Sequence, residues 1–293
     1  MVRALALGLL GLATAAGASA ALAPVGALNL IARLGGGYSL ERDIAYGPLP
    51  RQRLDVYSPR RAPADAPVAV FFYGGSWESG EKAMYRFVGA ALANRGIVTV
   101  IPDYRVYPDV RFPTFLEDAA RAVASARRSV SPGAPVFLIG HSAGAHIAAM
   151  LALDPQWLDG VGLTPQHDVA GLVGLSGPYD FLPLHSATLK AIFGPGETLA
   201  RTQPIEFVGP GAPPAFLATG RRDTVVDPGN TERLGERIRS AGGDVETRIY
   251  DRVSHQTMIG AFSFPLRPLA PVLADVAAFI RRDAPAAWER VRR

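Results

Sequence analysis

A strand-like run, Val136 to Ile139, leads into Gly140-His141-Ser142-Ala143-Gly144, and from there into an apolar stretch that carries no formal charge before Asp154. This passage constrains the fold more than any other part of the chain. A serine at the apex between a strand and a helix must take strained backbone angles. Only glycines on either side let strand and helix approach closely enough to hold it there. Such a turn offers the hydroxyl at the edge of a sheet, where an activated serine can attack a bound molecule. Ser142 is therefore the candidate nucleophile.

The surrounding pattern is α/β. Short apolar runs alternate with longer amphipathic ones, and no repeat of fixed period is visible. Eight strands are expected: Leu40 to Tyr46, Leu54 to Tyr57, Val68 to Tyr73, Ile97 to Ile101, Val136 to Ile139, Val169 to Leu175, Ala215 to Thr219 and Val245 to Tyr250. The middle runs are apolar without alternation, as parallel strands covered on both faces require. The first two alternate and read as an antiparallel edge hairpin. Helices are expected over Tyr85 to Asn94, Phe115 to Arg128, Ala143 to Leu153, Asn230 to Ala241 and Leu269 to Arg282. Gly96 and Gly242-Gly243 supply stops, and Pro113 a start. The stretches 154–168 and 180–211 fit neither a strand nor a long helix. They are expected to form a modest cap over a pocket at the carboxyl ends of the strands.

After Arg3 no charge appears until Arg33, and Ala4 to Ala16 is Leu, Ala and Gly with a single Thr. Ala18-Ser19-Ala20 then supplies the small-x-small pattern of a signal-peptidase site. Two readings stand: residues 1–20 as a leader cut after Ala20, with export to the periplasm or medium, or an uncut anchor in the inner membrane reaching to about residue 30. The folded domain is expected over 28–293.

Composition excludes several classes. Apolar residues make up 48% and charged ones 19%, which rules out disorder for most of the chain. The 30 basic residues, all but Lys82 and Lys190 arginine, are scattered, so the net +4 forms no nucleic-acid-binding run. Zero cysteines exclude disulfides, thiolate metal sites and a cysteine nucleophile. No His/Asp/Glu cluster has ligand spacing, so neither a metal nor another cofactor is expected.

Tyr73-Gly74-Gly75-Ser76-Trp77 after the third strand, Asp103-Tyr104-Arg105 after the fourth, and Gly-His-Ser-Ala-Gly-Ala-His at 140–146 together resemble the α/β-hydrolase esterases. The closer likeness is to the branch of carboxylesterases, kynurenine formamidases and isoprenylcysteine methylesterases. It covers about Leu28 to Arg282. One departure is Tyr73, where the branch usually has His in a His-Gly-Gly-x-Trp pattern; this puts the support and shape of that loop in question.

The resemblance implies an α/β-hydrolase fold with an eight-stranded, mostly parallel sheet and a small cap. It also implies an oxyanion hole built from the N–H groups of Gly75 and Ser76, with Gly74 as a further donor, and of Ala143. The fold's order of nucleophile, acid and base points to His255 as base and to Asp223 as acid, with Asp227 as rival. Tyr73, Trp77 and His146 are candidates for the substrate pocket, His146 having a structural role as the alternative. The activity implied is cleavage of a small-molecule carboxylic ester through an acyl-enzyme. Formamide or amide cleavage is the alternative within the branch. A non-catalytic binding protein on the same fold is a third reading, against which the joint presence of Ser142, Asp223 and His255 argues.

Overall fold

The computed structural model describes residues 25–62, 66–130, 132, 134 and 136–291. The expected leader lies outside the described residues. All eight expected strands form: β1 (Tyr38–Ala45), β2 (Arg53–Pro59), β3 (Val68–Phe72), β4 (Val98–Pro102), β5 (Val136–His141), β6 (Val169–Leu175), β7 (Ala215–Gly220) and β8 (Val245–Tyr250). They make one sheet in the order β1-β2-β4-β3-β5-β6-β7-β8. β3 to β8 are parallel, and β2 runs against both β1 and β4.

Helices follow the strands: α1 (25–35), α2 (Arg86–Ala93), α3 (Thr114–Ser125), α4 (Ala143–Leu153), α5 (Gln156–Asp159), α6 (Pro165–Asp168), α7 (Ala187–Phe193), α8 (Gly229–Ser240), α9 (His255–Gly260) and α10 (Val272–Val291). α2 touches α10 and α3 touches α4, the two pairs covering the two faces of the sheet. Every residue of β3, β5, β6 and β7 is buried, which is why these strands read as unbroken apolar runs. Edge strand β1 is mostly exposed, hence its alternation and its charges. Fully buried Phe71, Phe72, Phe137 and Phe216 anchor the core, each worth about 1.5–3 kcal/mol in apolar transfer.

The strand order places the site. From β3 the chain crosses outward to β4, then returns to the other side of β3 to form β5. The crevice between β3 and β5 is therefore a switch point, where open parallel sheets bind ligands beyond the carboxyl ends of their strands. Gly74, after β3, and Ser142, after β5, meet in that crevice.

Two expectations need correction. The 154–168 segment lines no part of the cavity at Ser142. It ends in α6 at the amino end of β6, where Asp168 pairs with Arg127 at 2.8 Å and Arg127 in turn donates to the Ala134 carbonyl ahead of β5. That is the edge of the sheet opposite Ser142, because α4 leads the chain away from the carboxyl edge. The last helix starts later than expected and runs on to Val291. Pro268 and Pro271 favour a separate 3-10 turn at Phe264–Leu269, while buried Ala284 and Ala287 continue the apolar face past Arg282.

Candidate active site

The turn after β5 is held by close approach. A Cβ on Gly140 would collide with the Gly144 carbonyl, and one on Gly144 with the Phe72 carbonyl on β3. Between them Ser142 takes φ 55° and ψ −126°, a conformation that side-chain-bearing residues adopt only under constraint. Its N–H bonds the Leu175 carbonyl of β6 at 3.0 Å, and its carbonyl accepts from Ala145 and His146 as α4 begins. The N–H groups of Ala143 and Gly144 come before these first bonds of α4, and Ala143 stands beside Ser142 at the crevice.

Three residues from three separate segments converge there. His255 opens α9, in a capping box made by Ser254 and Thr257. Its Nε2 lies 2.8 Å from Ser142 Oγ, and its Nδ1 lies 2.8 Å from Asp223 Oδ2. A carboxylate only accepts, so Nδ1 carries the proton and Nε2 accepts from the serine hydroxyl. Asp223 follows β7, and its other oxygen accepts from the N–H groups of Val225 and Val226 at 3.0 Å each. Burial would raise its pKa, but the bonds from His255, Val226 and Val225 outweigh burial and hold the carboxyl below its ordinary range. The arrangement can take a proton from Ser142 and stabilise the imidazolium that results. Asp227 is at the wall of the same cavity but bonds to neither His255 nor Ser142: exposed, it accepts from the Gly229 N–H at 3.0 Å and pairs with Arg233 at 3.3 Å.

The loop after β3 passes beside Ser142. Ser76 and Trp77 both have positive φ, 52° and 59°. The Gly75 carbonyl accepts from Glu78 and Ser79, and the Trp77 carbonyl from Tyr107. Ser76, Trp77, Ser142 and Ala143 all line one cavity of about 550 Å³. Gly74 leaves room for the serine: a Cβ on it would lie 2.9 Å from the Cβ of Ser142.

Tyr73 is corrected too. It is fully buried and lines no part of the cavity. Its ring is stacked between Tyr85 and Tyr104, at centroid distances of 5.4 and 4.7 Å. Its hydroxyl donates to Asp103 Oδ1 at 2.8 Å and accepts from Arg51 at 3.0 Å. Arg51 also donates to the carbonyls of Tyr104 and Gly80, and Asp103 accepts from the Lys82 N–H. Tyr73 thus braces the loop from behind, doing in another way what its departure from the usual His left in question.

The cavity wall facing the loop comes from the 180–211 segment, through Phe181, Leu182, Leu184, His185 and Leu189. His146 holds this cap down without lining the cavity. It is fully buried, donates from Nε2 to the Thr202 carbonyl at 2.8 Å, and packs edge-on against Trp77 at 5.1 Å. Burial pushes its pKa down to about 4. His141 is the residue that sequence reasoning missed. It is 5% exposed, and its Nε2 donates to the backbone carbonyl of His255 at 3.0 Å. Burial, then the neighbouring His255, pushes its pKa down to about 3, so it stays neutral. His167, on the opposite edge, pairs with Asp168.

The BD-FAE family profile matches residues 54–238, well over half the chain. The chain belongs to the BD-FAE family. A rice protein (Oryza sativa subsp. japonica) named "Probable isoprenylcysteine alpha-carbonyl methylesterase ICMEL1" is 29% identical to this BD-FAE protein over 270 residues, covering 83% of this chain and 63% of its own. Kynurenine formamidase of Salmo salar is 31% identical over 185 residues, 63% of this chain and 60% of its own. The match thus spans about three fifths of the length of these relatives. Among solved structures, a truncated carbohydrate esterase from gut microbiota superposes with a TM-score of 0.75 at 20% identity, covering 85% of this chain and 98% of that one. This BD-FAE protein has the α/β-hydrolase fold.

Proposed function

We propose that this protein is a serine hydrolase that cleaves small-molecule carboxylic esters through an acyl-enzyme. The observation that carries the reading is the continuous bonding from Ser142 Oγ through both nitrogens of His255 to Asp223. In this catalytic triad His255 takes the Ser142 proton as Oγ attacks the carbonyl, and Asp223 supports the imidazolium without itself being protonated. The N–H groups of Ala143, Gly75 and Ser76 form the oxyanion hole for the tetrahedral intermediate. His255 then protonates the leaving alcohol, and water releases the acyl group by the same steps in reverse. The similarity to the salmon formamidase supports a second reading, in which the leaving group is an aryl amine. A panel of p-nitrophenyl esters from acetate to palmitate, run beside N-formylkynurenine, tests both. Ester turnover that Ser142→Ala leaves intact would end the serine-hydrolase reading, since loss of the nucleophile should cost about 10⁴ to 10⁶.

We also propose export, with residues 1–20 removed after Ala20, on the strength of the charge-free apolar run and the Ala18-Ser19-Ala20 pattern. Among the described residues no helix is long and apolar enough to cross a membrane. Mass spectrometry of the protein recovered from a Gram-negative host tests the cut, and an intact Met1 in the membrane fraction would favour an inner-membrane anchor.

A further inference from the structure

Helix α1 is apolar on two sides. Val25, Leu28 and Ala32 pack against the core, and Asn29 ties the helix to the start of α2 and the turn before it, donating to the carbonyls of Ala83 and Met84 and accepting from the Phe87 N–H. The outer side carries Leu30, Ile31 and Leu34, whose spacing puts them on one stripe. They are 56%, 39% and 80% exposed. Beside the stripe, Phe264 is 73% exposed and rims a shallow cavity of about 110 Å³ shared with Ile31, Phe87 and Arg267. Large apolar side chains gathered into an open patch mark a surface that meets something.

The charge beside the patch says what. Arg267 lines this cavity beside Asn94, its buried Nε has no partner, and the exposed Arg95, next in the chain after Asn94, adds to burial in lowering its pKa. Arg33 stands exposed on α1 itself. Among the described residues no carboxylate pairs with Arg33, Arg95 or Arg267. A second copy docked by twofold symmetry would bring the same uncompensated arginines to this face. An anionic bilayer instead offers phosphates to the arginines and an acyl boundary to the leucines. In sequence Leu30 and Ile31 belong to the charge-free run that ends at Ala32, just before Arg33. We propose that the outer stripe of α1, with Phe264 and the flanking Arg33, Arg95 and Arg267, seats this protein on an anionic lipid surface. This goes beyond the proposed export, because the surface belongs to the folded domain and acts whether or not residues 1–20 are removed. It is independent of the esterase reading.

The chain has no cysteine, so Leu34→Cys can carry a single environment-sensitive fluorophore in the full protein as recovered. Phosphatidylglycerol vesicles should blue-shift and brighten the label. Pure phosphatidylcholine vesicles should do so several-fold less, and about 0.5 M salt should reverse the effect. A label at Ser240→Cys, exposed on α8 of the opposite face, should not respond. Arg95→Glu with Arg267→Glu should move the vesicle titration at least about tenfold to higher lipid, at about 1 kcal/mol per basic residue. Leu30→Glu, at an exposed position, should do the same without disturbing the partly buried Arg267. Ester turnover in vesicle-free buffer, unchanged in Leu30→Glu, separates failure of this proposal from failure of the esterase reading. The proposal is overturned if the Leu34 label ignores phosphatidylglycerol, or if both sets of glutamate variants bind as well as the parent. A shift that appears without lipid and grows with protein concentration would also overturn it, in favour of a second copy.

Discussion

The imidazole of His141 donates to the backbone carbonyl of His255 at 3.0 Å, and the two rings lie 4.8 Å apart. The residue just before Ser142 thereby fixes the main chain of the residue whose Nε2 accepts from Ser142. Two loops distant in sequence are locked by one neutral ring, which requires the Nε2–H tautomer.

His141→Ala should therefore lower ester kcat by about 10- to 100-fold with little change in KM, because a displacement of His255 by a fraction of an ångström spoils the proton transfer. His141→Gln, which can still donate to the carbonyl, should recover part of the loss. Parent-like kcat in the alanine variant would show that the bond is dispensable.

The acid assignment separates two residues four positions apart. Asp223→Asn should cost about 10² to 10⁴ in turnover by leaving the His255 imidazole in the wrong tautomer. Asp227→Asn should cost less than about tenfold, since Asp227, though at the cavity wall, turns the chain into α8 and pairs with Arg233 without touching His255. A dead Asp227 variant beside a near-normal Asp223 variant would reverse the assignment.

Tyr73→Phe keeps the stack on Tyr85 and Tyr104 but removes the hydroxyl between Asp103 and Arg51. Loss of a buried bond to a charged group should cost about 1–3 kcal/mol. The expected result is a Tm lower by several degrees with kcat within about tenfold, because the proposed oxyanion donors are main-chain groups. A collapse of kcat at unchanged Tm would mean that the hydroxyl sets the loop's working shape.

The strands were legible because burial on both faces writes itself as an apolar run, as at Val68 to Phe72, and the turn at Ser142 because its glycines answer a local steric demand. Asp223 and His255 were found through the order that the resemblance implies. The bond from His141 to His255 was not legible, since a side chain reaching a carbonyl 114 positions away leaves no mark on either residue type. Tyr73 and His146 were expected at the pocket because their neighbours in sequence are there, yet each ring points into the support behind it. The 154–168 segment was misplaced for a geometric reason: which edge of the sheet a connection occupies depends on where the preceding helix ends.

Acid should destabilise this protein from about pH 6.5 downward. His141 and His146 are held neutral in the fold, with pKa pushed down to about 3 and about 4, chiefly by burial. In the unfolded chain both titrate near 6.5. Below that pH the unfolded state binds more protons, so the stability these residues contribute is full above about 6.5 and is lost as pH falls toward 4 and then 3. By pH 5 the loss is about 2 kcal/mol for each histidine. Asp223, its carboxyl held low, loses its contribution only as pH falls below its unfolded value near 3.8. Urea unfolding at pH 7.5 and pH 5 brackets the histidine step. His146→Gln can still donate to the Thr202 carbonyl but cannot take a proton, so it should remove about half of the difference between the two pH values. If the variant lost as much stability as the parent, protonation of a histidine other than His146 would have to be driving the change, and its burial beneath Trp77 and the cap would be incomplete in solution.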